Sequence, residues 1–462
     1  MTMPFTLVDW LTYLESLHPK TIALGLERVA QVQQRLNLNP DFPVIVVGGT
    51  NGKGSVCAML ESMLYVAGYR VGCYTSPHLL HYNERVRIAK QQVSDAELCA
   101  SFERVEKARK GFAADCTIPS LIPAFPRRGK ECSHPLPTGE GWGEGALSEI
   151  PLTYFEFGTL AAMQLFIEKQ IDVAILEVGL GGRLDAVNVF DSDCAVIASV
   201  DIDHTDYLGD TREKIAFEKA GIMRSAKVAI CADSDVPQAI RDHAQQIGAE
   251  LWCIGSEFSF TAHQGQWDYR SKQGSRNALP YPALRGAFQL HNASAVLAAL
   301  DALKDKLPVN MEAVRRGLVE VQLPGRFQFV PGKPTLILDV AHNPHAGRSL
   351  AQNLAGLPPC PHTYAVFAML KDKDMAGVAA ALGDHIDTWL VAGIDAPRGA
   401  TAAELAQALK QGGVHGEVHT FANIAEALSY AYKAAGENDR IAAFGSFYTV
   451  AEVMTARGLR VL

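Results

Sequence analysis

FPVIVVGGTNGKGSVCAMLESMLYVAG, residues 42–68, is the stretch on which the fold turns. It begins with a continuous β-branched run, the pattern of a strand buried on both faces. A glycine loop, GGTNGKGS (48–55), follows, and then good helix formers with apolar residues at helical spacing. Strand, loop and helix in this order make a phosphate cradle. Backbone N–H groups point inward, the helix N-terminus adds partial positive charge, and Lys53 can reach the outer phosphates of a nucleotide. The loop departs from G-x-x-x-x-G-K-[ST], because Gly54 follows Lys53 and the hydroxyl comes one place later, at Ser55.

Outward from this stretch, similar runs recur at 69–76, 171–178, 194–201 and 226–233, with room between them for crossover helices. A parallel α/β sheet is expected. The breaker LPGRF (323–327) precedes a second series at 334–341, 362–370, 387–394, 416–421 and 439–446. The chain therefore reads as an α/β protein: a P-loop parallel-sheet domain over 1–322, then a smaller Rossmann-like α/β domain over 323–462. Residues 117–151 fit neither series. With six Pro and five Gly they lack any usable period and read as a mobile surface insertion. Such a segment is a tolerated long loop or an active-site lid, and its poverty of groups to order around a ligand favours the loop.

Composition narrows the class. At 48% hydrophobic and 20% charged residues the chain is globular rather than fibrous or disordered. A net charge of -8 without a basic run argues against nucleic acid as a partner, while leaving room for a local cationic pocket. The nine cysteines are scattered and never spaced C-x-x-C, so no disulfide framework or zinc site is legible. The first twenty residues lack a basic region followed by an apolar one, and no later run reaches the roughly 18 apolar residues of a membrane span. A cytoplasmic protein without a membrane partner is expected.

Three further places bear chemistry. Glu177 ends the strand run ILEV and precedes a glycine turn, where it is either a Mg²⁺ ligand or an ion-paired strand-end residue. SVDIDHTDYLGDT brings Asp201, Asp203, His204 and Asp206 to the end of the next strand, a set suited to metal or proton chemistry. Lys219 lies in the last turn of a helix ending at Gly221, where complementing the helix dipole would be role enough.

Taken together, GTNGKGS, TSPHL (75–79), YNERVRI (82–88), LTYFEFGTLAAMQLF, EVGLGGRLDAVN, DHTDYLGDT, EKAGI, PGRFQ and DVAHNPHA (339–346) resemble the folylpolyglutamate synthase and dihydrofolate synthase family, within the Mur-ligase-like ATP-dependent amide ligases. The resemblance covers nearly the whole chain outside 117–151. It implies that Thr50, Asn51, Gly52 and Lys53 hold the ATP phosphates, with Asn292, Arg326 and Asp339 completing the nucleotide site from an interdomain cleft. Two Mg²⁺ ions are implied: Ser76 and Glu177 on one, Glu177 and His204 with Lys219 as an N6-carboxylysine around the other. Lys53, His204 and Lys219 would be the catalytic set. Thr21, Ile22, Ala23 and Leu24, then Thr153, Tyr154, Phe155 and Glu156, then Leu184, Asp185 and Ala186, would receive dihydropteroate; the role of Gln289 is left open.

The resemblance further implies transfer of phosphate from ATP to a carboxylate, then attack on the acyl phosphate by the amino group of L-glutamate. The partners would be small molecules only (dihydropteroate, folates and L-glutamate), and the chain a monomer. A UDP-sugar peptide ligase of the same superfamily should carry a further domain ahead of its phosphate loop. A nucleotide switch would not need Glu177, His204 and Lys219 together.

Overall fold

The computed structural model describes residues 4–19, 22–111 and 148–460. Residues 117–147 of the insertion, and Thr21, lie outside the described residues. The chain divides into two compact units, one built from Met1–Ala23, Glu27–Asn39 and Asp95–Leu165, the other from Leu24–Leu26, Pro40–Ser94 and Phe166–Leu462.

The first unit is helical. Helix Leu7–Ser16 opens with a capping box between Thr6 and Asp9, which satisfies two of the otherwise orphaned N–H groups. Its Trp10 packs on Phe102 of helix Asp95–Arg109 and on Phe157, with ring centroids 5.8 and 6.4 Å away. The same helix pair carries a buried polar cluster. Arg109 reaches both oxygens of Glu106, and Tyr13 donates to Glu106 at 2.6 Å, so each buried charge has a partner.

The second unit holds three sheets. The largest contains β1 (Val44–Gly48), β2 (Val71–Tyr74), β3 (Val86–Ile88), β4 (Gln91–Gln92), β5 (Val173–Glu177), β6 (Cys194–Ile197), β7 (Val228–Cys231) and β8 (Glu250–Cys253), in the order β4-β3-β2-β5-β1-β6-β7-β8. Every residue of β1, β2, β5 and β6 is buried, which is why these strands read as unbroken apolar runs. Helices Lys53–Val66, Gln289–Ala302 and Met311–Glu320 supply apolar residues to its main core. Two of them approach backbone to backbone at Gly317, where a Cβ would lie 2.7 Å from the Met63 Cα.

The β3–β4 edge is antiparallel, a departure from the all-parallel expectation. Its turn places Ala89 and Lys90 at φ 50° and 66°, a conformation that Asn-Gly would have announced and Ala-Lys does not. A second sheet, β9 (Phe258–Ala262), β10 (Trp267–Ser271) and β11 (Gly274–Leu279), is antiparallel and was not anticipated. Its strands are partly exposed, so no continuous apolar run marks them.

The third sheet contains β12 (Gln328–Val330), β13 (Thr335–Asp339), β14 (Thr363–Phe367), β15 (Thr388–Ala392), β16 (Glu417–Phe421) and β17 (Arg440–Phe444), in the order β12-β13-β17-β14-β15-β16. Five strands are parallel and β12 pairs antiparallel to β13. Separate apolar clusters cover its two faces, the Rossmann-like layering expected from 334 onward.

One buried ion pair braces the first sheet. Arg87 of β3 grips Glu61 of helix Lys53–Val66 at 2.9 and 3.1 Å and donates to Thr75 at 3.2 Å, one residue before Ser76. The Glu61 side chain is only 6% exposed. Removing one partner strands the other, so Glu61→Ala is expected to destabilise the protein by about 3–5 kcal/mol in urea titrations. A change below about 1 kcal/mol, the size of an exposed pair, would refute this assignment.

Among the described residues no helix is long and apolar enough to cross a membrane.

Candidate active site at the carboxyl edge of the parallel sheet

β1 lies between β5 and β6, and strand order reverses around it, so the carboxyl ends of β2, β5, β1 and β6 open onto one crevice. The register makes the consequence concrete. Val47 pairs with Glu177 and Gly48 with Ile197, so the phosphate loop, Glu177 and the segment from Ala198 to His204 leave the sheet side by side. From β2 the chain reaches Ser76, whose backbone N–H donates to Glu177 Oε2 at 3.0 Å.

The loop after β1 is fixed largely by β6. Thr50 N–H donates to the Ser199 carbonyl at 2.8 Å, its hydroxyl and Asp201 exchange two bonds of 3.0 Å, and Asn51 N–H donates to Ser199 Oγ at 3.0 Å. Gly52 is the cap of helix Lys53–Val66 at φ 86°, and a Cβ there would lie 2.6 Å from Asn292 Oδ1. Asn292 is held in turn by Gln289, which accepts from it at 3.1 Å and donates to Ser55 at 3.4 Å. Gln289 thus ties Asn292 to the phosphate loop. Gly52→Ala meets both backbone strain of about 1–2 kcal/mol and this clash. The expected result is at least about a tenfold loss of ADP affinity by calorimetry. Unchanged affinity would remove the need for close approach at this position.

The Lys53 ammonium donates to the carbonyls of Gly49 and Thr50 at 2.9 and 3.2 Å, and its charge acts on Glu177, Asp185, His204 and Lys219. Burial raises the Glu177 carboxyl above its ordinary range, opposed by Lys53, the Ser76 N–H, Arg326 and Arg87. Burial also lowers His204 to about 4, so its imidazole is neutral at neutral pH, the form that binds metals. His204 adopts a left-handed backbone, φ 52° and ψ 43°, of the kind stored at functional sites.

Lys219 does lie in the last turn of helix Arg212–Ala220, yet it is not a solvent-facing dipole partner. It is 3% exposed, and burial, with the Lys53 charge second, pushes its amine down to about 7. Among the described residues no carboxylate lies within ion-pair distance of it. Nor do three or more His, Cys, Asp or Glu side chains converge anywhere among them as a ready-made metal site.

From the third sheet, Asp339 at the end of β13 accepts from Phe327 and Ala341 N–H groups, both at 2.8 Å. Arg326 stacks over Phe447 at 5.1 Å and exerts its charge on Glu177 and Asp339. Four more residues enter the crevice: Asn343 and His345, inside the DVAHNPHA motif but without a role assigned from it, and Arg348 and Lys373, which together line a cavity of about 320 Å³ with Asp201, Asp203 and His204. Only Asn343 carries a local signal, because Asn-Pro before a helical stretch is an N-cap pattern. Lys373, in KDKDM, carries none.

The segments expected to receive a pterin fall in both units. In the first, Arg28 donates to the Ala23 carbonyl at 2.7 Å and grips Glu156 at 2.8 and 3.3 Å, linking residue 23 to the Thr153–Glu156 turn. In the second, Gly25 N–H donates to the Leu184 carbonyl at 3.3 Å, and Asp185, accepting from Leu180 and Val187, is pushed by burial up to about 7.

Residues 143–300 match the Mur ligase middle domain, and residues 325–447 match the Mur ligase glutamate ligase domain. Over 449 residues the chain is 43% identical to the dihydrofolate synthase/folylpolyglutamate synthase of Escherichia coli (strain K12), covering 97% of this chain and 94% of that one. The chain belongs to the dihydrofolate synthase/folylpolyglutamate synthase family of Mur ligases. A Haemophilus influenzae relative of the same name is 39% identical over 465 residues, 96% of each chain. The structure of E. coli FolC in complex with DHPP and ADP superposes with a TM-score of 0.86 at 42% identity, over 99% of both chains. A bifunctional folylpolyglutamate synthase/dihydrofolate synthase with Mn, AMPPNP and L-glutamate bound gives 0.84 at 42% identity, over 99% of this chain and all of that one. The sheet edge described above therefore belongs to an ATP-dependent ligase of this family.

Proposed function

We propose that this ligase joins L-glutamate to 7,8-dihydropteroate, giving dihydrofolate, and adds further glutamates to tetrahydrofolate. The observation that carries the reading is the convergence of the phosphate loop, Ser76, Glu177 and His204 on one sheet edge, with Lys53 acting electrostatically on the groups around it. Thr50, Asn51, Gly52 and Lys53 would cradle the ATP phosphates, and Asn292, Arg326 and Asp339 would complete the nucleotide site.

Ser76, Glu177 and a carboxylated Lys219 would offer the oxygen ligands that a hard cation such as Mg²⁺ takes, and the neutral imidazole of His204 would add one nitrogen donor. Ser76 and Glu177 would hold one ion; Glu177, His204 and the carboxylated Lys219 would face the other. When bound, the ions supply charge neutralisation on the transferring phosphoryl group. A buried amine brought to about 7 is partly neutral at neutral pH, and the neutral amine is the form that adds CO₂. The product is a carboxylate where the unmodified side chain would oppose a metal.

In the reaction, a substrate carboxylate oxygen bonds to the γ-phosphorus of ATP and ADP leaves. The glutamate amine then attacks the acyl carbon, loses a proton, and phosphate departs. Lys53 would hold charge on the phosphoryl oxygens while the backbone of the loop fixes their position. The pterin would be received by Ile22 to Leu24, Thr153 to Glu156, and Leu184 to Ala186, with Thr21 included on the resemblance alone. A division into functional domains at 322/323, a monomeric state and a cytoplasmic location complete the proposal.

The test is ATP turnover by purified protein with dihydropteroate, and separately with tetrahydrofolate, each with and without glutamate. Phosphate release matched by amide product, and dependent on both the pterin acid and glutamate, is expected. Steady hydrolysis that ignores both would identify a nucleotide switch instead.

A further inference from the structure

Asn343 lies 292 residues beyond Asn51, yet the two side-chain amides are paired, at 3.2 and 3.3 Å. Asn343 is 2% exposed and caps helix Pro344–Ala355, its Oδ1 accepting from Ala346 N–H at 2.9 Å. The cap holds the side chain in one orientation, which leaves Nδ2 aimed at the first sheet. There it donates to Asp203 Oδ2 at 3.0 Å. The other oxygen of Asp203 accepts from Lys373 at 2.8 Å and from His204 N–H at 2.8 Å. Lys373 also lies 3.2 Å from His204 Nε2. The ends of β1 and β6 are thus joined to each other through residues of the third sheet.

We infer that Asn343 is a positioning residue for phosphoryl transfer: its amide, fixed as a helix cap, ties the phosphate loop at Asn51 to Asp203 and so sets where His204 stands. The inference rests on the reading of this sheet edge as the phosphoryl-transfer site. His204 has an energetically costly left-handed backbone, and its N–H bond to Asp203 is one of the contacts that hold it there. Asp203 can supply that bond in one geometry only while Asn343 and Lys373 pin its two oxygens. Seating of the third sheet and placement of His204 are therefore one event.

Asn343→Asp separates this role from simple capping. Asp is as good an N-cap as Asn, so the helix start is kept, but the donor is lost and a like charge faces Asp203. The expected result is at least about a tenfold fall in kcat, the size typical of a lost supporting hydrogen bond, in a protein that circular dichroism shows still folded though with a lowered thermal midpoint. In the nucleotide-free protein, hydrogen exchange at the His204 amide should accelerate, a readout independent of turnover. Adding Asp203→Asn restores a donor–acceptor pair with the roles exchanged, and should recover part of both losses. Should Asn343→Asp fail to fold, Asn343→Ser keeps the cap but is too short to reach Asp203, and carries the same expectation.

Wild-type kcat in a folded Asn343→Asp or Asn343→Ser protein would overturn the inference, as would an exchange change confined to residues 343–348. Failure of the underlying reading is distinguishable: it would show as an active Lys53→Ala enzyme, whereas failure of the inference alone leaves Lys53→Ala inactive.

Discussion

Lys53→Ala is expected to lose turnover by about 10²–10³-fold or more, the scale on which single charge-stabilising groups act in transition states. The fold should survive, because among the described residues the Lys53 ammonium hydrogen-bonds to carbonyls of its own loop, at Gly49 and Thr50. Those two bonds stay within the loop, so removing the side chain breaks no hydrogen bond between elements. The Lys53 charge does oppose the desolvation of Glu177 and Asp185, so a lowered thermal midpoint in a still cooperative fold is expected. Circular dichroism and a thermal melt establish the intact fold, and a coupled phosphate assay reads the loss. An active Lys53→Ala protein would falsify the phosphate cradle.

Lys219 gives the second large effect. If the amine carries CO₂, Lys219→Arg should lower turnover by at least about 100-fold, because a guanidinium cannot be carboxylated and would set positive charge against Mg²⁺. Lys219→Ala should fail as well, and formate or acetate should restore part of the activity by placing a small carboxylate in the vacated space. Label from ¹³C-bicarbonate should be retained at this residue in the wild type. The pH dependence has a definite sign. Between about 7 and 10.5 the unfolded chain holds a proton on this lysine that the native chain lacks, so the unmodified protein gains stability as pH rises through that window. Below about 7 the amine protonates, CO₂ cannot add, and activity should decline. A fully active Lys219→Arg enzyme, or one indifferent to bicarbonate, would take the modified lysine out of the mechanism.

The strand positions in both series were legible, because a strand buried on both faces must be apolar throughout; most ends fall within two residues, while the runs overshoot β6 by four residues and β14 by three. The antiparallel additions were not. β3 and β4 turn through Ala89 and Lys90, which carry no turn signal, and β9 to β11 are half-exposed. The site divides in the same way. Gly52 and Lys53 announce themselves through a strand–loop–helix pattern contained in 27 consecutive residues. Glu177 was ambiguous, since a strand-end carboxylate reads alike whether it faces a metal or an ion-pair partner; its pairing with Ser76 N–H emerges only from the β2–β5 neighbourhood.

What the sequence determined by itself are the features set by neighbours in the chain: the phosphate loop, the two α/β series and the helix ending at Gly221. These follow from backbone geometry and apolar periodicity, which act over a few residues. Only the tertiary structure decided that Lys219 is buried beside Lys53 and brought to about 7, and that Asn343 and Lys373 close on Asp203. Desolvation and hydrogen bonding between segments 140 to 292 residues apart depend on which surfaces the fold brings together, and no local pattern encodes that.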